Sequence, residues 1–376
     1  MAPGTETHND ETQYAGKDNE ALETAIDQEI HAFLNLLEHK YISTDREFRP
    51  VDMARKVQYL TLDVITSLAF GQKFGYIDQD TDVHSYIQIT EDSMPVMMVL
   101  SLFPVLAKTL QTKLFRWLMP SERDRVGFGA FISVAKQVVN ERLASDDPYR
   151  KDMLGSFLAH GLTREEAEGE TLVQIIAGSD TTATALRATF LHLMTSPQAY
   201  ARLANEVRTA SAEGRISSPI TEAEARQLPY LQAVIKEGLR INPPVTGTMD
   251  TIVPPGGDVL CGIPVPEGVE VGVAMFSLQS LQSVYGVDAE VFRPERWLEA
   301  DEAQLKEMNS TRDLIFKYGK WQCLGKNVAL IELNKVFVEC LRRYDFALVY
   351  PGKPWHSVSA GIFLQSDLFT KITRIK

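Results

Sequence analysis

Residues 316–326 read FKYGKWQCLGK. A lone cysteine, Cys323, stands between Gly319 and Gly325, with Phe316 and Trp321 beside it. A long helical pattern, NVALIELNKVFVECLRRY, follows at once. Glycines and aromatics crowded around one thiol make a turn that can present sulfur to something bulky. The same residues also suit a glycine-rich loop around a buried structural cysteine.

With 376 residues the chain can bury a large core, as one big domain or two ordinary ones. Hydrophobic residues make up 44% and charged residues 23%, ordinary globular usage, so disorder is not the default. A net charge of -12 argues against a nucleic-acid partner, because neutralising phosphates takes clustered Lys and Arg. It leaves room for a basic face that meets an acidic protein. Cys261, Cys323 and Cys340 form no CxxC pair, which fits a reducing compartment and speaks against a zinc cage or a disulfide frame. The first twenty residues, MAPGTETHNDETQYAGKDNE, are polar and acid-rich; they read as a flexible lead-in, neither signal peptide nor transmembrane anchor. The greasiest run, MPVMMVLSLFPVLA from Met94 to Ala107, is short for a bilayer and carries Pro95 and Pro104. It reads as a buried loop or helix, or else as a surface loop, Met94 to Leu106, that touches a membrane.

The first half has helical periodicity. Leu22, Ile26, Ile30, Phe33, Leu37 and Tyr41 share one face, as do Val57, Leu60, Val64, Ile65 and Leu68, and a further helix is expected near Arg123 to Ala144. Thr163 with Glu166 is a capping-box signature, and the pattern behind it runs to Met194 before Pro197 stops it. About 30 residues at about 1.5 Å each give a rod of roughly 45 Å, long enough to cross a domain. A second capping box, Thr221 with Glu224, precedes LPYLQAVIKEGLR, which ends at Pro243-Pro244. Glycines, prolines and short Val/Ile runs between Val245 and Leu281 predict small strands and turns. The expected class is mainly α with a small β-sheet region, one domain over 1–376, with no repeat or linker to divide it.

Four constellations carry potential chemistry. In AGSDTT, Ala177 to Thr182, glycine and threonines in mid-helix allow a bend, and Asp180 beside Thr181 sets a carboxylate next to a hydroxyl suited to proton relay. Close helix packing explains the same residues. Glu237 and Arg240, three apart, share a helix face and can pair, inward or as solvated surface charges. In FRPERW, Arg296 can grip a carboxylate with both arms of its guanidinium, or sit in an ordinary surface loop. The fourth is the Cys323 loop.

In this order along the chain, AGxDTT, ExxR, PERW and FxxGxxxCxG resemble the cytochrome P450 haem-thiolate monooxygenases. The likeness runs from about Gly16 to the carboxyl terminus, and INPPVTG, VPPGGD, DAEVFRPERW and GIFLQSDL are similar to a fungal subgroup of pisatin demethylase-like and benzoate para-hydroxylase-like enzymes. The resemblance implies haem b (iron protoporphyrin IX) with Cys323 as the axial thiolate. It implies that Phe316, Gly319 and Gly325 border the haem, and that Ala177 and Gly178 face haem and substrate. Asp180 and Thr181 would manage protons, and Glu237, Arg240 and Arg296 would form a buried charge network on the proximal side. It further implies electrons from NADPH–cytochrome P450 reductase, a small organic substrate of secondary or aromatic metabolism, and the cytosolic face of the endoplasmic reticulum membrane.

Three departures from the family pattern stand out. Trp321 occupies a position usually basic. Lys317 replaces a usual glycine, at a cost on the order of 1–2 kcal/mol if that position needs a positive φ. The family's membrane anchor, first sheet region and a haem-contacting helix have no counterpart ahead of Met1, so the expected fold lacks its N-terminal part. That departure gives the monooxygenase reading its rival, a non-catalytic remnant that binds haem poorly. A helical interaction protein without cofactor is a third reading, and it requires the ordered motifs to be coincidence.

Overall fold

The computed structural model describes residues 19–110, 112 and 127–375. The readings for the extreme amino terminus and for residues 123–126 lie outside that set. The principal helices are α1 (Asn19–Leu36), α2 (Met53–Phe70), α3 (Tyr86–Leu102), α4 (Gly127–Leu143), α5 (Arg164–Thr195), α6 (Pro197–Ala212), α7 (Pro229–Ile241), α8 (Glu302–Asp313) and α9 (Lys326–Leu341). Short strands join them: β1 (Val51–Asp52), β2 (Thr251–Ile252), β3 (Asp258–Leu260), β4 (Ile263–Val265), β5 (Glu270–Val271), β6 (Tyr344–Leu348), β7 (His356–Ser359), β8 (Phe363–Ser366) and β9 (Phe369–Arg374). All pair antiparallel, as the sheet β1-β9-β6 and the two-stranded pairs β2-β5, β3-β4 and β7-β8. The class is mainly α with small β regions.

The 32-residue α5 is the axis of the core. Its start is fixed by a complete capping box, in which the Thr163 hydroxyl accepts from the Glu166 N–H and the Glu166 carboxylate accepts from the Thr163 N–H. Pro197 opens α6 directly after α5 ends. Helix α2 lies along α5, and α4, α7 and α9 pack around it. Phe190 of α5 sits 5.0 Å from Phe337 of α9 and 5.3 Å from Phe346 of β6, ring centre to ring centre, tying helices and sheet together. Glycine permits one close crossing: a Cβ on Gly238 of α7 would lie 2.0 Å from Thr189 Oγ1 on α5.

Asp52 joins the sheet to α2. Its Oδ1 accepts from the Ala54 N–H at 3.0 Å, capping α2, and from the Leu368 N–H at 3.0 Å. The Thr221–Glu224 box caps its own short helix, Glu222–Ala225, and α7 starts separately at Pro229.

The Met94–Leu106 stretch corrects an expectation. It is not a loop and not buried: it forms the second half of α3 and the start of a short helix, Pro104–Leu110. Val96, Val99, Leu102, Phe103 and Val105 are exposed, Val105 by 79%. Only the first turns of α3, with Tyr86, Ile87, Ile89 and Thr90, are buried. The run is apolar on every side, so periodicity could not say which face a neighbour would cover. Among the described residues no helix is long and apolar enough to cross a membrane.

Candidate active site

The Cys323 loop is built from two short turns. Leu314–Phe316 and Gly319–Trp321 form single helical turns, and the Cys323 N–H donates to the Phe316 carbonyl at 2.7 Å, closing the loop on itself. To turn this tightly the backbone passes through φ 57° at Lys317 and 65° at Gly319. Lys317, at ψ −174°, lies in a region that glycine normally fills. Lys326 reaches back over the Phe316 ring, 5.3 Å from its centre, and pairs with Asp313 at 3.2 Å.

Cys323 is exposed, while Cys340 is buried on α9 and Cys261 is exposed in the β3–β4 turn. Burial of its sulfur by the loop raises the Cys323 thiol above its ordinary pKa, and the backbone N–H groups of Gly325 and Lys326 with the Lys326 charge act to lower it. Cys340, wholly enclosed, has no such donors, and burial drives its pKa far up. Trp321, Leu324 and Tyr318 are exposed around Cys323. A Cβ on Gly319 would meet nothing within 4 Å, and one on Gly325 would touch only the Cys323 sulfur, at 3.9 Å. A cysteine on a tight turn, with exposed apolar side chains around it and flanking glycines beside open space, fits a flat apolar group bearing a metal. No cluster of three His, Cys, Asp or Glu among the described residues could hold a bare ion. A surface groove of about 600 Å3 runs between α4 and the start of α5. It is lined by Lys136, Arg164, Glu168 and similar residues and contains none of the candidate residues, so its polar walls suit no such group.

On α5 the candidate residues divide between faces. Ala177 is exposed and Thr181 half-buried, and the Thr181 hydroxyl donates to the Ala177 carbonyl at 2.9 Å. At Gly178 a Cβ would lie 2.6 Å from Ile65 Cγ1, so the glycine lets α2 approach. Asp180 is fully buried, turned away from the Thr181 hydroxyl. Its Oδ1 accepts from the Gln58 amide at 2.5 Å and its Oδ2 from the Tyr86 hydroxyl at 2.6 Å. Burial raises its pKa, opposed by the Tyr86 hydrogen bond and the charge of Arg187.

The structure brings Glu237, Arg240 and Arg296 together in the interior. Arg240 grips the Glu237 carboxylate through Nε and a terminal nitrogen at 2.9 and 2.8 Å, and Arg296 Nε donates to it at 3.0 Å. The Arg293 N–H and the Trp297 indole N–H, both at 2.9 Å, complete its shell. Remaining guanidinium donors go to carbonyls of Gln279, Ala289, Tyr285, Asp288 and Val291. Burial pushes the Glu237 pKa up, but Arg240 and Arg296 outweigh it and hold it below the usual range. Sequence reading missed Trp297, Asp288 and Gln58 as partners. The first two lie inside the quoted DAEVFRPERW stretch, whereas nothing near Gln58 marked it. His192, 5.1 Å from Phe292 and stacked on it, was missed as well, and burial lowers its pKa to about 4.

The family model for cytochrome P450 matches residues 9–371. The chain belongs to the cytochrome P450 family. It is 45% identical over 366 residues to the cytochrome P450 monooxygenase ABA1 of Pyricularia oryzae, covering 96% of this chain and 72% of that one. With the aba1 monooxygenase of Botryotinia fuckeliana it shares 40% identity over 363 residues, 96% of this chain and 71% of the relative. A 29% match to the monooxygenase ACRTS1 of Alternaria alternata covers 94% of both chains. This cytochrome P450 is therefore a monooxygenase, an oxidoreductase of a haem family whose members draw on a redox partner and act on small organic molecules.

Proposed function

We propose that Cys323 is the sole protein ligand of a haem b and that the chain works as one catalytic domain in fungal secondary or aromatic metabolism. The observation that carries this reading is the Cys323 loop, a tight turn that holds an exposed cysteine beside exposed apolar side chains and two glycines. When bound, the haem supplies the oxygen chemistry that places one atom of O2 into the substrate. The chain's own part is to hold and to proton-manage. The two N–H groups and Lys326 steady negative charge on the sulfur, while Phe316, Gly319 and Gly325 let the backbone come close. Trp321 and Leu324 offer apolar cover. The buried Glu237–Arg240–Arg296 network fixes residues 279–297, which precede this loop in the chain. Ala177 borders the substrate side, the Thr181 hydroxyl passes hydrogen onward, and Asp180 resupplies it. Electrons come from NADPH–cytochrome P450 reductase. The exposed apolar half of α3 rests on the cytosolic face of the endoplasmic reticulum membrane.

Cysteine variants test the ligand. Cys323→Ala should abolish the thiolate-type haem absorption, while Cys261→Ser and Cys340→Ser keep it; loss of it only at Cys340 would overturn the assignment. Thr181→Val keeps shape and removes the hydroxyl, so haem content should hold while product per NADPH falls and hydrogen peroxide rises. Unchanged coupling would reduce Thr181 to a packing residue.

A further inference from the structure

Gln365 on β8 carries an amide that the protein itself leaves unanswered. The residue is 2% exposed, and its Oε1 and Nε2 are both buried without a hydrogen-bond partner among the described residues. Turning the amide over mends nothing, because donor and acceptor are orphaned alike. Native interiors pair nearly all such groups with protein or with ordered water, since an amide buried dry destabilises the fold.

Bonds on either side of Gln365 fix what surrounds it. Two residues earlier, the Phe363 carbonyl accepts from Thr184 Oγ1 of α5 at 3.4 Å. Two and three residues later, the N–H groups of Asp367 and Leu368 donate to the Asp52 carboxylate at 3.2 and 3.0 Å. Strand β8 therefore runs along α5 and past the start of α2, and it packs on both. Arg187 lies one turn beyond Thr184 on α5 and reaches the same start of α2. Its Nε donates to the Ala54 carbonyl at 2.9 Å, and one terminal nitrogen donates to Gln58 Oε1 at 2.5 Å. The other terminal nitrogen makes no hydrogen bond among the described residues, although Arg187 is only 1% exposed. One seam thus holds an unanswered amide and an unanswered guanidinium donor.

We propose that a buried water molecule sits in the seam between α2, α5 and β8 and bridges the Gln365 amide to that nitrogen of Arg187. Water supplies what both groups lack. Its oxygen accepts from the guanidinium and from Nε2, and its hydrogen goes to an amide oxygen, within the two to four bonds usual for an internal water. A small anion can only accept, so it would leave Oε1 unanswered. The bridge ties the β7–β8 hairpin to α5 at one end. At the hairpin's other end the Gly361 carbonyl accepts from the N–H groups of Thr246 and Gly247 at 2.8 and 3.0 Å.

The test needs neither haem nor turnover, so it stands apart from the reading of Cys323. A diffraction map of the whole chain, fine enough to show ordered water, should hold one peak within hydrogen-bond reach of both Gln365 and Arg187. Gln365→Met keeps the length of the side chain and removes its hydrogen-bonding atoms. In urea titration its unfolding constant should rise about tenfold, the equivalent of one to two net hydrogen bonds. A dry seam predicts the reverse, a fall in that constant, because the orphaned amide is gone. Should the variant not fold, the map decides alone. A map without the peak, a Gln365 amide bonded directly to protein, or a variant more stable than the wild type would overturn the water site. Wild-type stability that rises with chloride over gluconate at fixed ionic strength, and no longer does so in Gln365→Met, would put an anion there and overturn it as well.

Discussion

At Glu237 one carboxylate accepts from two guanidiniums, an indole and a backbone N–H, its side chain wholly buried. Glu237→Gln keeps the shape and leaves two buried cations short of their counter-charge, so unfolding free energy should drop by about 3–5 kcal/mol in urea titration. Because its folded pKa is lowered, the stability it contributes is complete above the ordinary carboxylate value. It is lost as pH falls through the lowered one. His192 acts at higher pH. Its folded pKa is about 4 against an ordinary 6.5, so between these values only the unfolded chain takes up its proton, and stability falls as pH drops from 6.5 to 4. His192→Phe retains the stack on Phe292 and should flatten that part of the stability–pH curve; an unaltered slope would assign it to other groups. Lys317 offers the opposite kind of change. With φ 57° and ψ −174° it is strained, and Lys317→Gly should raise the unfolding free energy in urea titration by about 1 kcal/mol, net of glycine's greater freedom when unfolded.

Between elements, the glycines of α5 and α7 set distances. Gly238→Ala would drive a methyl into Thr189 and should cost about 1–3 kcal/mol, with Thr189→Ala recovering much of it in a double variant. Equal losses with and without Thr189→Ala would contradict that crossing. Element boundaries were legible where local chemistry sets them: the Thr163–Glu166 box and Pro197 bracket α5 in sequence and in space. What the sequence did not disclose is direction. Asp180 and Thr181 are neighbours in the chain, yet about 100° of helical rotation separates them, and only packing against Gln58 and Tyr86 shows which one points inward. Gly178 was legible as a place of close approach, but not that Ile65 makes the approach. Strand β1 has two residues and no periodicity of its own; it exists because β9 pairs with it.

On the scale of the molecule, α5, α7 and α9 pack on one another, and the motifs that meet in the interior are those of Glu237, Arg240 and Arg296. The order of the motifs was readable from the chain, whereas the packing of α5 on α9 and β6 rests on the shared core of Phe190, Phe337 and Phe346. The exposure of the apolar half of α3 was readable only as one of two alternatives, since an apolar run carries no sign of what covers it. Replacing Val99 and Leu102 by Ser should weaken sedimentation with phospholipid vesicles several-fold and leave the unfolding free energy within about 0.5 kcal/mol, as exposed positions do; unchanged sedimentation would remove the membrane role. The central claim is that this chain presents Cys323 to a haem iron, and the absorption spectrum of the purified 376-residue protein, supplied with haem, reduced and exposed to carbon monoxide, tests it most directly. A red-shifted Soret band in proportion to protein, absent from Cys323→Ala, is the predicted result. An unshifted Soret band, or none, would contradict it.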